Sequence, residues 1–180
     1  MSTLRIYEES GGPPRSEYTD FASIASALKH IGVQFERWEA AHALEPDASQ
    51  ETVIAAYQAS VDRLMDDYGF QSVDVVSLTP DHPKRQALRD QFLQEHIHDD
   101  FEVRFFVDGS GLFYIRAGGK VYATLCERGD LISVPANTTH WFDMGERPRF
   151  KCIRLFTTTD GWVAKFTGDP IAERFPRMDE

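Results

Sequence analysis

The sequence predicts a mainly β protein, a barrel or sandwich with flanking helices in a single domain. Three observations carry that expectation. From residue 95 onward, short runs rich in Val, Ile, Phe and Tyr recur at regular spacing between Gly, Pro and Asn, the grammar of an all-β barrel. The first half alternates helical and extended patterns, and no linker, repeat or low-complexity tract divides it from the second. Residues 1–94 are therefore expected to flank the barrel core of 95–180 within one unit. The 180 residues, 42% hydrophobic with 13 Phe, are enough for one such core, burying roughly two thirds of the surface an unfolded chain exposes.

In chain order, LRIYEE reads as a first strand and GGPPRSEYTD as a loop. Asp20 or Thr19 can cap a helix through FASIASALKHIG, in which Phe21, Ile24, Ala25 and Leu28 share a face and Gly32 follows the end. VQFERWEA is extended. From Ser49 to Gly69, the spacing of Val53, Ala56, Tyr57, Val61 and Leu64 or Met65 predicts one helix, opened by Ser and closed by Gly. SVDVVSLTP is a strand ending at Pro80, and PKRQALRDQFLQ a shorter helix with Leu88, Phe92 and Leu93 inward. VRFFVDGSGLFYIR is expected as two strands joined by a turn at Asp-Gly-Ser-Gly, a composition suited to positive φ. VYATLCERGDLISVPANTTHWF and FKCIRLFTT supply further strands. Cys126 and Cys152 fall inside strand-like segments and are expected as small buried hydrophobes, with no disulfide framework.

The charge narrows the partners. With 29 acidic against 19 basic residues, the formal charge of -10 repels phosphate backbones and anionic lipid surfaces, so neither nucleic acid nor a membrane is expected as a partner. An anionic small substrate would need a metal or a local arginine to reverse that field. MSTLRIYEES has no apolar leader segment, and no run approaches the roughly 20 apolar residues of a membrane span. The expectation is a soluble cytoplasmic protein.

The chemistry concentrates in EHIHDDFEVRF, Glu95 to Phe105, where His96, His98 and Glu102 stand at the spacing H-x-H-x-x-x-E with Arg104 two positions on. On a regular strand these even-numbered side chains point the same way, although Asp99 and Asp100 are able to interrupt the regularity. Three ligands on one strand occupy one side of a metal. His140, following a turn marked by Pro135 and Asn137 in VPANTTHWFDM, is the candidate fourth. Nitrogen and carboxylate donors suit Fe, Ni, Mn, Cu or Zn, and three His with one Glu leave two octahedral positions for a bidentate substrate or water. The hydrolase pattern H-x-H-x-D-H fails because Phe101 stands where its last histidine belongs. His30, His42 and His82 read as helix-end and loop histidines without a ligand role.

HIHDDFEVRFFVDGSG and GDLISVPANTTHW resemble the two motifs of the cupin superfamily. The first supplies His96, His98, Glu102 and Gly109, the second Gly129, Pro135 and His140. Asn137 replaces the usual glycine after the proline and Met144 the customary asparagine. Beyond these motifs, FERWEA, ETVIAAYQ, DVVSLTPD, EVRFFVDGSGLF, DLISVPANTTHWFDMG and FTGD, spanning the chain almost end to end, resemble the acireductone dioxygenase family. The resemblance implies a monomeric cupin-type jelly-roll β-barrel that binds one Fe(II) or Ni(II) per chain through His96, His98, Glu102 and His140. It implies cleavage by O2 of the methionine-salvage acireductone, the enediol 1,2-dihydroxy-3-keto-5-methylthiopentene. Iron gives formate and 4-methylthio-2-oxobutanoate; nickel gives formate, carbon monoxide and 3-methylthiopropanoate. Members often carry an acidic residue just before the ligand glutamate, where this chain has Phe101.

Within that frame Arg104 is the expected catalytic residue, since its charge offsets what a doubly ionised enediol leaves over and favours the dianion. Phe92, Phe106, Phe142 and Trp162 are expected to wall a pocket for the methylthio tail, parity favouring Phe106 over Phe105, and Arg154 faces either that pocket or solvent. The resemblance gives Glu95 a part in metal incorporation, against the plain alternative of an exposed acidic residue. Two other readings keep the four ligands: another cupin metalloenzyme, such as an isomerase or a thiol or diketone dioxygenase, and a non-catalytic metal-binding ligand sensor.

Overall fold

The computed structural model describes all residues, Met1–Glu180. Its strands are β1 (Thr3–Glu8), β2 (Ser16–Tyr18), β3 (Gln34–Arg37), β4 (Ser72–Leu78), β5 (His96–Ile97), β6 (Glu102–Ala117), β7 (Lys120–Glu127), β8 (Asp130–Val134), β9 (His140–Asp143), β10 (Phe150–Phe156) and β11 (Lys165–Phe166). They form a jelly-roll barrel of two antiparallel faces, one in the order β2-β1-β7-β6-β9-β5-β11 and the other β4-β10-β6-β8-β3. The 16-residue β6 belongs to both faces.

How β6 turns the corner corrects the expected Asp-Gly-Ser-Gly hairpin. The strand runs through that stretch without reversing. Gly109 takes φ +68°, and a Cβ placed there would stand 1.8 Å from the Arg149 carbonyl oxygen, so only glycine fits. Opposite it, pairing with β10 slips between Lys151 and Cys152. The positive-φ residues make a bulge and bend instead of a turn. The extra residue flips the parity of the strand. Phe106 before the bend and Phe113 and Ile115 after it all join the barrel interior, while Val103, Phe105 and Val107 pack outward on one face and Tyr114 on the other.

The helices cover the barrel. In α1 (Phe21–Lys29), capped by the Asp20 carboxylate accepting from the Ser23 amide at 2.9 Å, Ile24 and Leu28 complete the interior. The single helix expected over 49–69 is two, α2 (Gln50–Ala56) and α3 (Gln58–Tyr68), broken at Tyr57. The Tyr57 hydroxyl accepts from the His42 amide at 3.1 Å and donates to its carbonyl at 3.2 Å, a tertiary tie that the helical period could not reveal. Val53, Tyr57, Val61 and Leu64 of this pair cover the outward side chains of β6 and β10. Helix α4 (Arg85–Phe92) turns Leu88 and Phe92 toward the barrel interior and buries Arg89 in a forked ion pair with Asp143, at 2.8 and 3.2 Å. A short 3-10 helix, Pro170–Arg174, shields Tyr114 and Trp141 of the opposite face. Ser16–Tyr18, expected within a loop, pairs with β1 as an edge strand. Cys126 and Cys152 are free and fully buried, as expected. No helix is long and apolar enough to cross a membrane.

Candidate metal centre

Three strands meet at the candidate site. His96 and His140 are register partners across β5 and β9, and His140 in turn sits opposite Ile115 of β6. The expectation that His96, His98 and Glu102 share one strand is corrected. β5 ends at Ile97, the chain bends through residues 98–101, and β6 begins at Glu102. Asp100 holds the bend, its carboxylate accepting from the Phe101 amide at 2.7 Å, the Thr158 amide at 2.9 Å and the Thr157 hydroxyl. The second motif is tied to the first where the Asn137 amide donates to the His98 carbonyl at 2.9 Å, and Asn137 adopts φ +61°, the glycine-like conformation expected of it.

The side chains converge. One nitrogen each from His96, His98 and His140 lies within 4.8 Å of the others. Glu102 Oε2 is 3.0 Å from His98 Nε2 and 3.7 Å from His140 Nε2. All four residues are buried. Each imidazole presents Nδ1 to a main-chain carbonyl: His96 to Gln94 at 2.8 Å, His98 to Val163 at 3.1 Å and His140 to Thr138 at 2.8 Å. A carbonyl can only accept, so Nδ1 carries the proton, and in the neutral ring Nε2 is a bare lone pair. Burial pulls His96 down to about 4 and His140 to about 3, so both are neutral at pH 7. Burial pushes the Glu102 carboxyl up, but the adjacent Arg104 charge holds it well below the usual carboxylate range.

The donor set passes a physical test for a cation. His98 Nε2, His140 Nε2 and Glu102 Oε2 are buried without a hydrogen-bond partner. Acceptors facing one another out of water cost free energy that a divalent cation between them removes. The carbonyl bonds to Nδ1 are the outer partners that orient metal-bound histidines. Nitrogen and carboxylate donors with no thiolate match a first-row divalent ion.

Arg104 borders this cluster. Its Nε donates to Glu102 Oε1, its guanidinium packs against the adjacent Phe113 and Phe142 rings at 5.1 Å from each centroid, and Nη1 is buried and unpartnered. A cavity of about 210 Å³ opens from Arg104, His96 and His98 toward Phe92, Arg154 and Trp162. Arg154 is thus on the cavity side, forked onto Asp74 at 2.9 and 2.6 Å.

Two expected wall residues lie elsewhere. Phe106 and Phe142 are buried in the barrel interior and do not line the cavity; Phe142 instead backs the Arg104 guanidinium. Aromatic density reads the same in a core and in a pocket, so the sequence could not separate them. Glu95 is not an exposed acidic side chain. It is buried on the far side of the strand, its carboxylate bonded to Arg116 and to the Thr167 hydroxyl. Phe101 stacks against Tyr68 at 6.4 Å. Sequence reasoning passed over Gln91, Ala164 and Phe166, which complete the cavity wall, although Gln91 adjoins Phe92 and Phe166 opens the FTGD stretch. His30, His42 and His82 stand apart from the cluster.

The pattern of the ARD/ARD' family matches residues 3–164. The chain is 59% identical over 180 residues to an acireductone dioxygenase of Methylococcus capsulatus, with 100% of this chain and 97% of the relative covered. It is 57% identical to one of Aquifex aeolicus, with 100% and 98% covered. Among solved structures, an acireductone dioxygenase from Bacillus anthracis with a cadmium ion in its active centre matches with a TM-score of 0.81 and 30% identity, covering 92% of this chain and 98% of that one.

Proposed function

The chain belongs to the ARD/ARD' family of acireductone dioxygenases, and from that premise we propose that His96, His98, Glu102 and His140 hold one Fe(II) or Ni(II) at which an acireductone is cleaved by O2. The observation that carries the reading is the buried cluster of bare acceptors, two imidazole nitrogens and a carboxylate oxygen turned toward one point beside an unpartnered guanidinium nitrogen. The ion would supply Lewis acidity and a template for two neighbouring oxygens of the enediol.

The protein's own part follows from the geometry. Glu102 stays ionised beside Arg104 and keeps one negative charge among the ligands. Arg104 Nη1 is free to donate to an enediolate oxygen, and a fixed positive charge in a water-poor site favours loss of the enediol protons and stabilises the resulting dianion. Phe92, Trp162 and Phe166 offer the apolar tail a hydrophobic wall, the last two half-exposed, while Arg154, held by Asp74, offers a second cation on the same cavity. The charge of -10 supports a soluble monomer with no nucleic-acid or membrane partner.

Anaerobic loading with Fe(II) or Ni(II), followed by O2 uptake and carbon monoxide measurement in the presence of the enediol, tests the reading. The expected result is stoichiometric O2 consumption with either metal and carbon monoxide only with nickel. Binding of the enediol without O2 uptake would favour a ligand sensor and overturn the proposal.

A further inference from the structure

We infer that Arg116 is a positioning residue for the metal centre, its side chain holding His96 through Glu95 from the outer side of the sheet, at a point where its main chain is already paired beside His140; the inference rests on the proposed function of that centre. Arg116 stands near the end of β6, next to Ile115, the register partner of His140. Its main chain grips the residue before His140: the Arg116 amide donates to the Thr139 carbonyl at 2.9 Å, and the Thr139 hydroxyl donates back to the Arg116 carbonyl at 3.3 Å. Its side chain grips the residue before His96. Nη1 donates to both Glu95 oxygens at 3.2 Å and to Asp169 Oδ2 at 3.0 Å, while Nη2 pairs with Glu9.

The ties matter because the ladder between the two histidines is minimal. β5 has two residues, and His96↔His140 is its single register pair with β9. So short a strand does not fix the direction of a side chain unaided, and the flanking anchors supply what it lacks. On the other edge, Thr167 donates its amide to the Glu95 carbonyl at 3.1 Å and its hydroxyl to Glu95 Oε1 at 2.7 Å, so Glu95 is the knot joining β5, β6 and the segment after β11.

Electrostatics make Arg116 the keystone of this knot. Three carboxylates, from Glu9, Glu95 and Asp169, converge on one guanidinium, and Glu95 is only 2% exposed. Without the cation, a buried carboxylate faces two of like charge, and moving Glu95 toward water moves the His96 main chain with it. Lysine would keep the charge but not the fork that reaches three partners.

The test uses the full-length, demetallated protein. Ni(II) affinity is read by competition with a chromophoric chelator, ligand geometry by the visible spectrum of the Co(II)-loaded protein, and fold stability by thermal unfolding without metal. Arg37→Met is the control, because Arg37 also pairs with a buried carboxylate, Asp130, at 3.4 Å on a strand distant from the histidines. Arg116→Met is expected to lower Ni(II) affinity about 10- to 100-fold, the usual effect of losing a group that orients metal ligands, and to change the Co(II) spectrum. Arg37→Met should keep wild-type affinity and spectrum, and Arg116→Lys should recover only part of the loss. Should Arg116→Met fail to fold, Glu95→Gln carries the same expectation, since it keeps the Thr167 contact and removes the charge pair. Wild-type affinity and spectrum in these variants overturn the inference, as does an equal loss in Arg37→Met. If the wild-type protein itself takes up no ion, the proposed centre falls and this inference with it, whereas a wild type that binds normally beside unaffected variants sinks the role of Arg116 alone.

Discussion

Arg104→Met removes the guanidinium but leaves a flexible apolar chain against the Phe113 and Phe142 rings, which the guanidinium contacts at 5.1 Å from each centroid. A guanidinium about 5 Å from an enediolate charge, at an effective dielectric of about 20, contributes about 3 kcal/mol. The hydrogen bond from the unpartnered Nη1 adds about 1 kcal/mol. At 1.36 kcal/mol per decade the loss is about a hundred- to a thousand-fold in kcat/KM. The assay is O2 uptake by the metal-loaded variant across pH. The alkaline limb should persist while the rate near neutrality collapses, because the enediol must ionise without help. Metal stays bound at pH 7 but leaves at a higher pH than in the wild type, since Glu102 loses the cation that holds its carboxyl down. A variant within about threefold of wild-type kcat/KM refutes the role assigned to Arg104.

Asp143→Asn breaks the buried fork with Arg89 and should destabilise the metal-free protein by about 3–5 kcal/mol at pH 7. Burial raises the Asp143 carboxyl, but Arg89 and the amides of Met178 and Gly145 outweigh it and hold it below its usual value. Its contribution is therefore present above the unfolded pKa of about 3.9 and lost as pH falls through the lower native value, so thermal unfolding should show the variant's deficit shrinking in acid; an undiminished deficit there contradicts the assignment. Gly109→Ala must place a methyl against the Arg149 carbonyl in a left-handed conformation and should cost more than about 3 kcal/mol by urea unfolding, with a near-neutral outcome denying the bend its part in the barrel. Trp162→Ala should raise KM about fivefold to tenfold with kcat nearly unchanged, because the ring, already 52% exposed, gives apolar contact and no chemistry. A fall in kcat at constant KM would move Trp162 out of the tail wall.

The candidate ligand cluster was legible because it is local and chemically marked. His96, His98 and Glu102 fall within seven residues, and the turn before His140 announces itself through Pro135 and Asn137, which takes the positive φ its type allows. What escaped depends on partners distant in sequence. The bend at Gly109 is dictated by Arg149 across the barrel, the kink before Glu102 by Asp100 reaching Thr157 and Thr158, and the break in the helix at Tyr57 by His42. Alternation along a strand could not foresee that the same parity would place Phe106 in the core and Arg104 at the site, because both face inward at different depths. Arg116 carried no local signal at all; its carboxylate partners lie 21, 53 and 107 positions away.

X-ray absorption at the nickel edge of the Ni(II)-loaded protein, recorded for the wild type and for His140→Ala, measures the coordination sphere itself. One nickel per chain with the scattering of three imidazoles, falling to two in the variant, is the result expected of His96, His98 and His140 beside Glu102. A sulfur neighbour, or a spectrum that His140→Ala leaves unaltered, would mean that the ion is held elsewhere.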